Sequence, residues 1–191
     1  MVQRTQVHVQ RESAKYRSVE NLGLIFLYTG TGAGKTTNAL GLALRCIGHG
    51  LKVIIIQFMK GRKDIGEYVI KDRLSPEYEI YQFGRTGWVD LKSPSEEDKR
   101  LAREALKFAE KVVVEKKPFL LVLDEINLAV AANLISVEEV LSLLSKIPEE
   151  THVVLTGRYA PPELIDKADI VNLVIEVKYP RKLVNIKGIN Y

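Results

Sequence analysis

Leu24-Ile25-Phe26-Leu27-Tyr28-Thr29-Gly30-Thr31-Gly32-Ala33-Gly34-Lys35-Thr36-Thr37 is the stretch on which the reading of this chain turns. Leu24 to Tyr28 form a short, continuous apolar run of the kind a buried parallel strand makes. Glycines then crowd the chain, and from Lys35 to Ile47 the apolar residues Ala39, Leu40, Ala43, Leu44 and Ile47 recur at helical spacing, with Gly48 and Gly50 as the stop. The order is strand, glycine-rich loop, helix. Glycines permit the backbone angles that turn several amide hydrogens into one concavity, and the helix opening at Lys35 adds the positive end of its dipole. A phosphate chain suits that concavity, so the segment Gly30, Thr31, Gly32, Ala33, Gly34, Lys35, Thr36 and Thr37 is read as a P-loop for ATP with Mg²⁺.

Lys35 is expected to place a point charge on the phosphates, Thr36 to offer its hydroxyl to Mg²⁺, and Thr37 to add a phosphate contact. One feature departs from the usual pattern. Four residues normally separate the first glycine from Gly-Lys, whereas Gly30 and Gly34 enclose only three, and Thr29 stands where a glycine is expected. The shorter loop should change which phosphate lies deepest.

Outward from this segment the chain alternates. Leu51 to Phe58 and Tyr78 to Phe83 read as strands two and three. Ser95 with Asp98 opens a capped helix to about Lys116, with Leu101, Ala105, Leu106, Ala109 and Val112 along one face. Phe119 to Leu123 reads as a central strand delivering Asp124 and Glu125 to a sheet edge, which makes Asp124 a candidate for holding Mg²⁺ through water and Glu125 for completing the metal shell or orienting substrate. Ser136 and Glu139 form a second capping box, with Val140, Leu141, Leu143 and Leu144 inward and Pro148 as the stop. His152 to Thr156 is a fifth strand, Pro161 and Pro162 open a short helix, and Ile170 to Val177 is a sixth strand. The expected fold is α/β, P-loop NTPase-like, in three layers: a mostly parallel sheet of about six strands with helices on both faces. Residues 1–21, polar and without period, are expected to be a flexible segment ahead of one P-loop domain over 22–191 with a basic tail.

Composition narrows the function. The apolar share of 46% and charged share of 27% are ordinary for a globular protein, and no apolar run approaches the ~18 residues of a membrane span. The N-terminal stretch lacks the apolar core of a secretory signal, so a soluble, cytoplasmic protein is expected. A single cysteine, Cys46, leaves neither an intrachain disulfide nor a multi-cysteine zinc site, and a core role is expected for it. The net charge of +4 resides in Lys178, Arg181, Lys182 and Lys187 of the tail, which either attract phosphorylated molecules or are simply solvated. Without a broad basic face or interleaved aromatics, no nucleic-acid partner is expected.

With these residues in view, the sequence resembles the P-loop type of corrinoid adenosyltransferases. The resemblance runs through Tyr28 to Thr37, Gly48-His49-Gly50, Gln57-Phe58-Met59-Lys60-Gly61 with Gly66-Glu67, Val122-Leu123-Asp124-Glu125-Ile126-Asn127, Val153-Val154-Leu155-Thr156-Gly157-Arg158, Ala160-Pro161-Pro162-Glu163-Leu164, Val177-Lys178 and the closing Lys187-Gly188-Ile189-Asn190-Tyr191. It implies that cobalt as Co(I) in cobalamin or a precursor corrinoid attacks the ribose C5′ of ATP and expels triphosphate. On that basis Lys35, Thr36 and Glu125 are catalytic candidates, Glu67 and Arg158 join the ATP contacts, and Thr36, Asp124 and Glu125 are the Mg²⁺ set. Trp88 matches an aromatic position thought to wall the lower face of the corrin, while Asp90 stands where relatives have a second aromatic; packing against the sheet edge is the plainer role for Trp88. Glu67 and Arg158 could equally make local ion pairs. The resemblance also implies a homodimer, in which the N-terminal segment folds over a nucleotide site, and a reductase or flavoprotein as electron donor. The competing readings are an ordinary P-loop ATPase or nucleoside kinase, and a corrinoid- or nucleotide-binding module without chemistry.

Overall fold

The computed structural model describes residues 23–87, 89–180 and 185–189. The N-terminal segment and Trp88 therefore lie outside the described residues. In chain order the elements are β1 (Ile25–Thr29), α1 (Lys35–Gly48), β2 (Val53–Phe58), α2 (Gly66–Val69, running into a 3-10 turn at Ile70–Arg73), β3 (Tyr78–Phe83), α3 (Glu96–Lys116), β4 (Leu120–Asp124), α4 (Ile126–Ala131), α5 (Val137–Lys146), β5 (His152–Thr156), α6 (Pro162–Lys167) and β6 (Ile170–Leu173).

All six strands join one sheet in the order β3-β2-β4-β5-β1-β6, and every pairing is parallel. The inner strands β2 and β4 are buried along their whole length, which is why they read as unbroken apolar runs. Strand period two still sorts their side chains. Val53 and Ile55 of β2, Leu120 and Val122 of β4, and Val154 of β5 pack with Ala39 and Ala43 of α1. Ile54, Ile56, Phe58, Leu121 and Leu123 point the other way, into a second core shared with α3, α5 and α6. Burying each of these branched or aromatic side chains is worth roughly 1.5–3 kcal/mol, so the two cores clamp the sheet between its helices.

The helix starts follow the expected chemistry. Ser95 and Asp98 make reciprocal 3.2 Å backbone bonds ahead of α3, and Ser136 with Glu139 repeats the capping box ahead of α5. Two expectations are corrected. Leu44 is 63% exposed, because α1 meets the sheet through the small side chains of Ala39 and Ala43, leaving Leu44 beyond the buried stripe. The sixth strand ends at Leu173 rather than reaching Val177: the Val174 carbonyl accepts the Gly32 amide at 2.9 Å, so the chain there backs the glycine-rich loop instead of extending the ladder. α2 and α4 were not anticipated, being four and six residues long and too short to show a period.

Candidate active site

Period two carries polar residues to one place. On the α1 side of the sheet, the apolar series of β3, β2, β4 and β5 each end at the carboxyl end in a polar residue: Gln82, Gln57, Asp124 and Thr156. The register aligns them, with Gln57 opposite both Gln82 and Asp124. Gln82 Nε2 donates to Gln57 Oε1 at 2.9 Å, Gln57 Nε2 to Asp124 Oδ2 at 3.0 Å, and Thr156 Oγ1 to Asp124 Oδ1 at 2.7 Å. The result is a hydrogen-bonded row across four strands, centred on a fully buried carboxylate.

Above that row sits the glycine-rich loop. Gly30 and Gly34 adopt φ of 106° and 108°, the left-handed region that favours glycine. A Cβ on Gly30 would lie 2.3 Å from the Val174 carbonyl oxygen, so the loop is packed tightly from behind. At Gly34 a Cβ would meet nothing within 4 Å, because that side faces an open cleft. The loop thus has a rigid back and an empty front. Thr29, in the place of the expected first glycine, ends β1 and accepts the Ala160 amide at 3.2 Å, tying the loop's root to the chain after β5.

The Lys35 ammonium folds back to donate to the Gly32 carbonyl at 2.6 Å. Burial pushes its pKa down; Glu125 acts against that shift and Arg158 adds to it. Thr36 Oγ1 donates to Asp124 Oδ1 at 2.8 Å, joining the helix start to the polar row. Lys60 closes the far side, with Nζ 2.6 Å from Asp124 Oδ2. Burial would raise the Asp124 pKa, but Lys60 and the hydrogen bonds from Thr156 and Thr36 hold it below the usual carboxylate range. Glu125 contrasts with its neighbour. It leaves β4 at φ 65°, its Oε2 is buried without a partner among the described residues, and burial followed by the adjacent Asp124 charge pushes its pKa up.

These groups line a cleft of about 510 Å³ bounded by Gly32 to Thr37, Lys60, Gly66, Glu67, Glu125, Arg158 and the tail residues Gly188 and Ile189. The structure thus brings together Gly32, Ala33, Gly34, Lys35, Thr36, Thr37, Glu67, Glu125 and Arg158. Glu67 stands on α2 and accepts from Gln57 at 3.3 Å. Gly30 forms the loop's packed back rather than its front, Thr31 is exposed outside the cleft, and Asp124 lies beneath it. Sequence reasoning gave no role to Gln57, Lys60, Gln82 or Thr156. For Gln57, Gln82 and Thr156 the signal was present, since each stands where an apolar alternation would continue at the sheet's carboxyl end. Among the described residues, no group of three or more His, Cys, Asp or Glu side chains is placed to hold a metal, and no helix is long and apolar enough to cross a membrane.

Comparison with known proteins places the chain in a family. A family model described as ATP:corrinoid adenosyltransferase BtuR/CobO/CobP matches residues 21–191. The corrinoid adenosyltransferase of Escherichia coli K12 is 34% identical over 157 residues, covering 82% of this chain and 79% of that protein. Those of Pseudomonas aeruginosa and Salmonella typhimurium are each 33% identical over 160 residues, covering 84% of this chain and 78% and 80% of theirs. A KaiC-like protein of Pyrococcus horikoshii superimposes with a TM-score of 0.57 at 19% identity, covering 84% of this chain and 76% of that one, a likeness of fold in keeping with a P-loop NTPase-like α/β sheet. By the span of the family match and the identity to its named members, this chain belongs to the ATP:corrinoid adenosyltransferase family, whose members are transferases.

Proposed function

We propose that this protein transfers the 5′-deoxyadenosyl group of ATP to the Co(I) of cobalamin or a precursor corrinoid and releases triphosphate. The observation that carries the proposal is the cleft itself, in which an empty-fronted loop of amides and Lys35 faces an oxygen-rich floor formed by Thr36, Asp124 and Glu125. Such a site grips a polyphosphate by its whole length and needs no protein nucleophile, because the attacking atom belongs to the corrinoid substrate. What the chain supplies is position: a tethered phosphate tail that leaves C5′ exposed turns an encounter into an intramolecular step.

Lys35 donates to the Gly32 carbonyl, and on this reading its ammonium turns outward to the phosphates, where the loop amides and the α1 dipole add to it. Thr36, Asp124 and Glu125 fit Mg²⁺. Their donors are all oxygen, Mg²⁺ takes one or two carboxylates beside phosphate oxygens, and the partnerless Glu125 Oε2 would gain a counter-charge. When bound, Mg²⁺ would neutralise charge gathering on the leaving triphosphate. Arg158, exposed at the cleft, reaches phosphate or a corrin side chain, and Glu67 orders the floor through Gln57. Trp88 as the corrin wall, a cytoplasmic site of action, a homodimer and a reductase or flavoprotein donor belong to the same proposal; the exposed Leu173, Ile175 and Val177 are apolar surface a dimer would have available to cover. A monomeric mass by light scattering removes the dimer.

Mixing the protein with MgATP and a chemically reduced corrinoid tests the activity. The expected outcome is conversion of the spectrum to a light-sensitive alkylcobalt form. An unchanged Co(I) spectrum in the presence of bound nucleotide would leave a binding module and refute the transferase.

A further inference from the structure

Lys60 sits where a metal-bound nucleotide would need room. It follows Met59, which leaves β2 at φ 56°, a left-handed conformation that a non-glycine residue adopts only when its surroundings enforce it. That turn brings Lys60 back over the end of the sheet. Its Nζ lies 2.6 Å from Asp124 Oδ2 and 3.5 Å from Thr36 Oγ1, so one ammonium touches two of the three groups that would hold Mg²⁺. The pair is asymmetric: the Asp124 side chain is 1% exposed and that of Lys60 28%. One partner is fixed in the floor and the other opens onto the cleft.

An ammonium and a divalent cation compete for the same carboxylate edge, since like charges at about 4 Å repel strongly inside a protein, with the divalent ion counting double. Asp124 does not depend on Lys60 for its position. Thr156 and Gln57 hold its two oxygens at 2.7 and 3.0 Å, so the carboxylate stays in place if the ammonium leaves. Lysine suits departure, with a flexible stem and a charge that is not bound to one planar geometry. The phosphate loop lines the same cleft.

We infer that Lys60 is a resident counter-cation, which occupies the metal position at Asp124 in the nucleotide-free protein, excludes divalent ions from it, and transfers to the phosphates when nucleotide arrives with Mg²⁺. This rests on the ATP and Mg²⁺ reading above. It makes metal binding conditional on nucleotide, so an empty site does not fill with Mg²⁺ and present a preformed metal to the wrong anion.

The test uses the full chain without corrinoid, reading melting temperature and the binding of Mn²⁺ alone by the loss of free-ion EPR signal. In the wild type, MgATP should raise the melting temperature, whereas Mg²⁺ alone at matched ionic strength should not. Lys60→Gln, which keeps a hydrogen bond to Asp124 but no charge, should melt lower, recover on addition of Mg²⁺ alone, and bind Mn²⁺ alone at least about tenfold more tightly than the wild type. Lys60→Met carries the same expectation should the glutamine variant not fold, and Lys60→Arg, with its charge retained, should behave as wild type. Mn²⁺ affinity equal in the neutral variants and the wild type overturns the inference while MgATP stabilisation of the wild type leaves the nucleotide reading standing; tight Mn²⁺ binding to Lys60→Arg overturns it too. A wild type that MgATP does not stabilise removes the nucleotide reading and the inference with it.

Discussion

At the amino ends of the strands the polar groups are paired within the chain. The Leu24 amide donates to His152 Nδ1 at 3.0 Å, the Ile25 amide to Asp169 Oδ2 at 2.8 Å, and Thr151 Oγ1 to the Pro118 carbonyl at 2.9 Å, while Glu79 is held by Lys116, Tyr81 and Lys52. At the carboxyl ends four strands leave through a residue of positive φ: Gly30 after β1, Met59 after β2, Glu125 after β4 and Gly157 after β5. Two of those are not glycine. All three buried side-chain atoms without a partner among the described residues, Gln82 Oε1, Glu125 Oε2 and Asn127 Oδ1, belong to the same end. One set of strands therefore carries an end whose polar groups are paired and an end with unpaired groups and left-handed exits, and in an open parallel sheet the second is where ligands bind.

The contrast can be broken most forcefully at Lys35. Lys35→Met keeps the volume and removes the charge, so adenosylation should fall on the order of 10²–10³-fold while the melting temperature stays close to that of the wild type. A loss of stability that matched the loss of activity would make Lys35 a structural residue instead. Glu125 sharpens the contrast in the other direction. Glu125→Gly relieves the left-handed backbone and the unpartnered carboxyl, so urea unfolding should show a gain of roughly 1 kcal/mol, while transfer falls by about 10–100-fold. A variant both less stable and fully active would mean that strain at this end has no functional purpose.

The smallest effect belongs to the satisfied end. Burial pushes the His152 pKa below its ordinary 6.5, and the neutral ring accepts the Leu24 amide and packs at a tilt against Phe119. Above that value folded and unfolded chains bind the same number of protons here. As pH falls below 6.5 the unfolded state protonates first, so stability declines from there down to the lower folded pKa. Relative to His152→Gln, the wild type should lose under about 1 kcal/mol between pH 7.5 and 5.5, with activity at neutral pH unaffected. Parallel stability profiles for the two proteins would show that the ring is not titrating.

Legibility in the sequence followed the same divide between local and assembled features. The loop from Gly30 to Thr37 and the pair Asp124-Glu125 are contiguous, so their chemistry could be read without knowing how the chain folds. The capping boxes at Ser95 and Ser136 are likewise local. Gln57, Lys60, Gln82 and Thr156 are scattered over a hundred residues and become a site only through strand register, which aligns Gln57 with both Gln82 and Asp124. Lys60 was further disguised by the backbone turn at Met59, which no composition announces. Ile170 to Val177 reads as one strand because its β-prone composition continues past Leu173, where the Val174 carbonyl turns to the loop amide of Gly32. Leu44 fits the helical period but lies beyond the narrow stripe that Ala39 and Ala43 press against the sheet.

The most direct measurement is the fate of the phosphates. With ATP labelled in its phosphates and a reduced corrinoid, one turnover on a site that anchors the tail and frees C5′ should release intact inorganic triphosphate in step with alkylcobalt formation. Release of ADP and phosphate as the main products would contradict the account, because the bond broken would then lie within the grip of the loop rather than beyond it.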